Sequence, residues 1–143
     1  MKPVVQLERT GCGIASVAAL AGVTYTAAKR LAHDMGISAS DSRLWGDTRL
    51  VRRLLSRHRF RVSPNEMPFE SWSALPDLAL LAIKWHRERG KPCWHWVVFV
   101  RNQAGGRVFD SKRKLKRHIR TDFGRMKPKW YIAVGKKPIR SSR

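Results

Sequence analysis

Acidic residues, cysteines and long apolar runs are all scarce in this chain. Two cysteines in 143 residues, Cys12 and Cys93, are too few for a disulfide scaffold, and one Cys12–Cys93 bridge is the most they can form within the chain. Cys-x-x-Cys and His-x-x-x-His are both missing, so no metal-ligand spacing is visible, although Cys12, Cys93, His95 and Asp110 are residue types that hold zinc. No cofactor is called for. No segment approaches the roughly 18–20 continuous apolar residues that span a bilayer. The apolar run near the start is preceded by Glu8 and Arg9 and lacks a small-residue cleavage site. It reads as mature sequence rather than a signal peptide, which makes the cytoplasm the expected compartment.

What is plentiful is positive charge. Thirty Lys and Arg face 10 Asp and Glu, for a formal net charge of +20. Such a field attracts phosphates, acidic proteins and anionic membrane surfaces, but does not specify a fold. The excess lies late: Ser111 to Arg143 carries 13 Lys or Arg and a single acid, Asp122, a net of +12. The run SKRKLKRHIR, with Lys112, Arg113, Lys114, Lys116, Arg117 and Arg120, is dense enough to hold nucleic acid, an acidic substrate or a membrane surface. A hydrophobic fraction of 43% at this length fits one domain with its own core. That domain is expected over residues 1–135, with a basic, flexible tail over 136–143.

Hydrophobic periodicity divides the chain. Cys12 to Ala21 reads as a short buried helix stopped by Gly22. Thr24 or Thr26 caps a second, through Ala28, Leu31 and Ala32 to Met35, closed by Gly36. Asp47 caps a third, with Leu50, Val51, Leu54 and Leu55 inward; the SASDSRLWGD stretch before it reads as a polar loop. Then the period changes. Phe60 and Val62 are extended, and the chain from Pro68 to Pro76 is irregular, anchored by Phe69 and Trp72. Leu78–Trp85 suits either a buried strand or a helix segment. Strand is favoured, because HRERGKP follows as a turn and WHWVVFVR (94–101) is rich in β-branched and aromatic residues. NQAGG is a hairpin turn, Arg107–Asp110 its return strand and Lys129–Val134 a last strand. Helices first and an antiparallel sheet second make an α+β domain.

Chemistry concentrates at QLERTGCGIASVAAL (6–20). A thiol at a helix N-terminus feels the positive end of the helix dipole and unpaired N–H groups, which favour thiolate. Gln6, six residues upstream of Cys12, is an amide able to donate to an oxyanion beside the sulfur. A cysteine nucleophile needs a base, and the base needs an orienting group. His33, His58, His86 and His118 fall in charged helices, turns or runs and read as solvated. His95 instead opens the most strand-like segment. Alternation puts Cys93, His95, Val97 and Phe99 on one face and Trp94, Trp96 and Val98 on the other. If WHWVVFVR and RVFD pair, His95 and Asp110 meet at one end of the hairpin, where a carboxylate can fix the imidazole tautomer. Taken alone, His95 suits a structural histidine as well as a base.

Gln6, Cys12–Gly13 at the head of an Ala-rich helix, HWVVF around His95 and VFDS around Asp110 together resemble the papain-like cysteine peptidases. The nearest likeness is to the bacteriocin-processing, double-glycine leader peptidases and their stand-alone relatives. The resemblance covers Gln6 to about Ser111. It implies a papain-like α+β fold in which the nucleophile heads a helix packed on an antiparallel sheet. It also implies Cys12 as nucleophile, His95 as base, Asp110 as orienting carboxylate, and Gln6 with the Cys12 N–H as oxyanion hole. The implied activity is peptide-bond hydrolysis, after small residues such as a double glycine. Family members usually carry an acidic or similar residue where this chain has Gly11, and many have proline where it has Ser111. The basic segment lies outside the resemblance. It supports an alternative class: a nucleic-acid-binding or other interaction protein on that fold with idle catalytic residues.

Overall fold

A computed structural model describes residues 1–136, and the rest of the expected tail, 137–143, lies outside the described residues. Helices occupy the first half: α1 (Cys12–Ala21), α2 (Tyr25–Asp34), α3 (Arg43–Gly46) and α4 (Arg49–Arg57). α1 buries nine of its ten residues, consistent with an apolar composition on all faces. It ends at Gly22 in the left-handed conformation that glycine adopts without a Cβ penalty. Thr24, not Thr26, caps α2, accepting from Ala27 N at 3.1 Å. The loop expected between the second and third helices contains α3. Its first turn is set by Asp41, whose carboxylate accepts from Arg43 N at 2.9 Å. Asp47 does serve the start of α4, accepting from Arg49 N at 2.7 Å, with Thr48 between it and the helix.

The second half is a sheet of β1 (Phe60–Val62), β2 (Met67–Pro68), β3 (Leu78–Glu88), β4 (Lys91–Asn102), β5 (Gly105–Phe109), β6 (Ile119–Arg120) and β7 (Trp130–Lys136), with α5 (Phe123–Met126) between the last two strands. The spatial order is β1-β7-β3-β4-β5-β6, with β2 also on β7, and every pairing is antiparallel. The α+β class expected from the sequence is the one observed. β3 and β4 are longer than their apolar cores, because HRERGKP is mostly strand and only Arg89–Gly90 turns. Both have positive φ, 52° and 78°, the backbone of a two-residue hairpin whose twist matches its strands. Lys84 also has positive φ, 54°, where the β3–β4 register shifts between Ile83 and His86. That bulge bends the hairpin beside His95.

The sheet carries apolar side chains on both faces. Trp94, Trp96 and Val98 of β4 join Leu80, Ala82, Ile132 and Val134 beneath α1, α2 and α4 in the main core. Val97 and Phe99 face the other way, with Leu81, Ile83, Val108 and Met126, under Phe69, Trp72 and Phe123. The alternation read from WHWVVFVR is therefore observed. Gly13 lets α1 settle onto the sheet: a Cβ there would come within 2.8 Å of Val51 Cγ2 and 3.5 Å of Trp96 Cδ1. No single helix among the described residues is long and apolar enough to cross a membrane.

Candidate active site

Three elements bring the predicted residues together. Cys12 is the first residue of α1, His95 lies in β4, and Asp110 directly follows β5. Trp96 N donates to Cys12 Sγ at 3.5 Å, which fastens the helix start to the strand beside His95. His95 Nε2 lies 2.6 Å from Asp110 Oδ1. With Nε2 committed to the carboxylate, Nδ1 is the ring nitrogen left for the sulfur. Burial alone would push the imidazole below its ordinary 6.5. The Asp110 carboxylate, with the Cys12 sulfur as second partner, outweighs that and raises it to about 9.

Asp110 is fully buried, so it must be satisfied by protein groups. Besides His95 it accepts from Lys112 N at 3.0 Å and from Arg120 Nη1 at 3.0 Å. Its carboxyl is held well below the usual range; burial opposes this, and the His95, Lys112 and Arg120 contacts prevail. Arg120 is thereby removed from the set of free surface cations. Its guanidinium also forks onto Asp122, and its side chain is only 15% exposed. Lys112, Arg113, Lys114, Lys116 and Arg117 do remain exposed. The basic run is thus partly structural: β6 pairs with β5, and His118 Nδ1 meets Asp110 O at 2.8 Å, so His118 is not simply solvated. Nor is His58, half-buried at the end of α4 with Nε2 enclosed; His86 is exposed as expected, though it lies in β3 rather than in a turn.

Gln6 is where the structure differs most from the expected site. Its Nε2 donates to Glu8 O at 2.9 Å and Arg9 O at 3.1 Å, so both amide hydrogens are engaged. Oε1 accepts from Ser111 Oγ at 2.7 Å, and Gln6 N donates to Ser111 O at 3.0 Å. Gln6 therefore ties the segment before Cys12 to the residue after Asp110. Glu8 anchors the same segment to α2 through Tyr25 and Lys29. The two departures from the family pattern find local reasons here. Ser111 supplies the hydroxyl that holds Gln6, and Gly11 lies so close to the Tyr25 hydroxyl that a Cβ would collide with it.

A cleft of about 500 Å³ runs past His95 and Gln6, between Trp45 and Trp94, with Lys84, Lys112, Arg113 and Lys114 on its wall. Lys84 sits against Lys112, and partial burial together with that neighbouring ammonium pushes it below its ordinary value. Cys12 is fully buried and is not part of the wall. The helix start beneath has no side-chain cap and no acid in its first turn, which leaves its first N–H groups to an incoming oxyanion. Sequence reasoning took Arg120 for an anion-binding surface cation and missed Ser111, Glu8 and Lys84. Only Ser111 had a signal, its place beside Asp110. Cys12 and Cys93 are both free thiols. No family model, curated protein or solved structure matches this chain.

Proposed function

We propose that this protein is a papain-like cysteine peptidase working through Cys12, His95 and Asp110. The observation that carries the reading is the 2.6 Å contact of His95 Nε2 with a fully buried Asp110, beside a sulfur that heads a helix. An imidazole so oriented takes the Cys12 proton, and the sulfur attacks the carbonyl carbon of the scissile amide. The oxyanion gathers on the Cys12 backbone N–H. His95 then protonates the leaving amine, and water, deprotonated by the same ring, hydrolyses the thioester.

Because Cys12 is fully buried, the site has to open before a substrate reaches the sulfur. In the described arrangement Gln6 Nε2 is held by Glu8 O and Arg9 O, so it serves an oxyanion only if the turn over residues 6–9 also rearranges. The cleft's cations favour a substrate with acidic side chains near the scissile bond, and the family resemblance favours small residues, such as a double glycine, before it.

The direct test is a set of double-glycine peptides with acidic or basic flanks, read by mass spectrometry. Cleavage by the protein, absent in Cys12→Ala, near background in His95→Ala and largely retained in Cys93→Ser, is the expected pattern. Cleavage that survives Cys12→Ala refutes it. A second reading rests on exposed Lys116 and Arg117, which do not line the cleft: binding of nucleic acid with an idle triad. Salt-sensitive binding to arbitrary DNA or RNA, unchanged in Cys12→Ala and without peptide cleavage, would establish that alternative.

A further inference from the structure

The tip of the β3–β4 hairpin gathers three groups that the proposed hydrolysis does not use. His86 Nε2 lies 2.9 Å from Glu88 Oε2 and 3.2 Å from Cys93 Sγ, and all three atoms fall within 4.8 Å of one another. They meet because the bulge after Ile83 sets His86 opposite Cys93 across the hairpin. His86 Nδ1 lies 2.7 Å from the Lys84 carbonyl, which can only accept, so Nδ1 carries a hydrogen. In the neutral ring Nε2 then presents a lone pair to both the carboxylate and the thiol. That lone pair can accept from the thiol but cannot satisfy the carboxylate as well. A cation at their meeting point can.

We propose that His86, Glu88 and Cys93 form a three-ligand site for a zinc-class divalent metal. The ligand set suits a borderline-soft ion: one imidazole nitrogen, one carboxylate oxygen and one thiolate, together matching the ion's two charges. Metal–ligand bonds of about 2.0–2.3 Å at tetrahedral angles put ligand atoms roughly 3.3–3.8 Å apart, so closing onto an ion needs only small side-chain movements. The outer contacts fit as well. The Lys84 carbonyl fixes the His86 tautomer, and Arg9 Nη2 donates to both Glu88 oxygens at 2.9 and 3.0 Å, orienting the carboxylate and yielding its Oε2 contact when an ion binds. Access is open, because His86 and Glu88 are 49% and 37% exposed and line the cleft, leaving a fourth position to solvent. Binding releases the Cys93 proton to water. The sequence hides the set because its ligands sit on two strands with neither of the familiar spacings.

The test uses the full chain carrying Cys12→Ala, which removes the other thiol, titrated with Co²⁺ and then Zn²⁺. The expected result is a near-ultraviolet thiolate-to-cobalt band saturating at one equivalent, bleached by zinc and abolished by adding Cys93→Ser. His86→Ala, at an exposed position that leaves the core intact, should weaken cobalt binding by about tenfold or more. No band at a tenfold excess of cobalt overturns the proposal. So does a band that persists without Cys93, or one that His86→Ala leaves unchanged in protein whose circular dichroism shows it folded.

Discussion

At the scale of single residues the site is decided by how Asp110 is shared. Its two oxygens serve His95, Lys112 N and Arg120, so the carboxylate orients the His95 ring and also neutralises a half-buried guanidinium. Arg120→Met removes one partner of a buried pair. It should lower unfolding free energy by about 3 kcal/mol, the low end for such a break, because His95 and Lys112 N still hold the charge; chemical denaturation measures this. It should also move the His95 titration upward, since a competing cation is gone. In the unaltered protein His95 titrates at about 9 against an ordinary 6.5. A raised value means the imidazolium stabilises the fold fully below pH 6.5, and that contribution disappears as pH rises through 9. The peptidase rate should therefore fall along a limb near pH 9, and His95→Gln should flatten thermal stability between pH 7 and 10. Cys12, His95 and Asp110 were legible in the sequence because each sits at the end of a patterned segment. Arg120 was not: nothing in a run of six cations says which one turns inward, and that choice is made only when β6 pairs with β5.

At the scale of elements, the segment before α1 and the β3–β4 hairpin hold the start of the helix in place. Glu8 fastens that segment to α2, where Lys29 and Tyr25 meet its carboxylate. If that segment shields the buried thiol, Glu8→Ala should loosen it and speed iodoacetamide modification of Cys12 severalfold, as peptide mapping would show. Unchanged or slower modification would mean that the segment does not gate the thiol. Gly13→Ala tests the seat of the same helix. Its Cβ meets Val51 and Trp96, and overpacking there should cost about 1–3 kcal/mol, read as a lower midpoint in urea. Strand and helix identities followed from period and composition, while their lengths did not. β3 and β4 extend through charged residues whose own preferences say turn, because a two-residue Arg-Gly reversal keeps the ladder hydrogen-bonded further than hydrophobicity alone suggests. α3 escaped for a related reason, since its four residues hold too little pattern to register.

At the scale of the whole molecule, charge and topology act on the same cleft. Lys112, Arg113 and Lys114 follow Asp110 after Ser111, so the connection that leaves Asp110 also lays cations along the cleft wall. Cleavage of acid-flanked peptides should weaken as salt rises through the range where the screening length falls from about 10 to 3 Å, whereas neutral peptides should respond little. Net charge was plain from composition; its partial use inside the fold was not, because burial depends on which strand edge the run meets. The order of elements has a temporal consequence. A chain made from its N-terminus presents Cys12 long before His95, and Arg120 later still. A nascent or truncated polypeptide thus carries the thiol without its partners, and on the proposed reading activity arrives only once β4, β5 and β6 have paired.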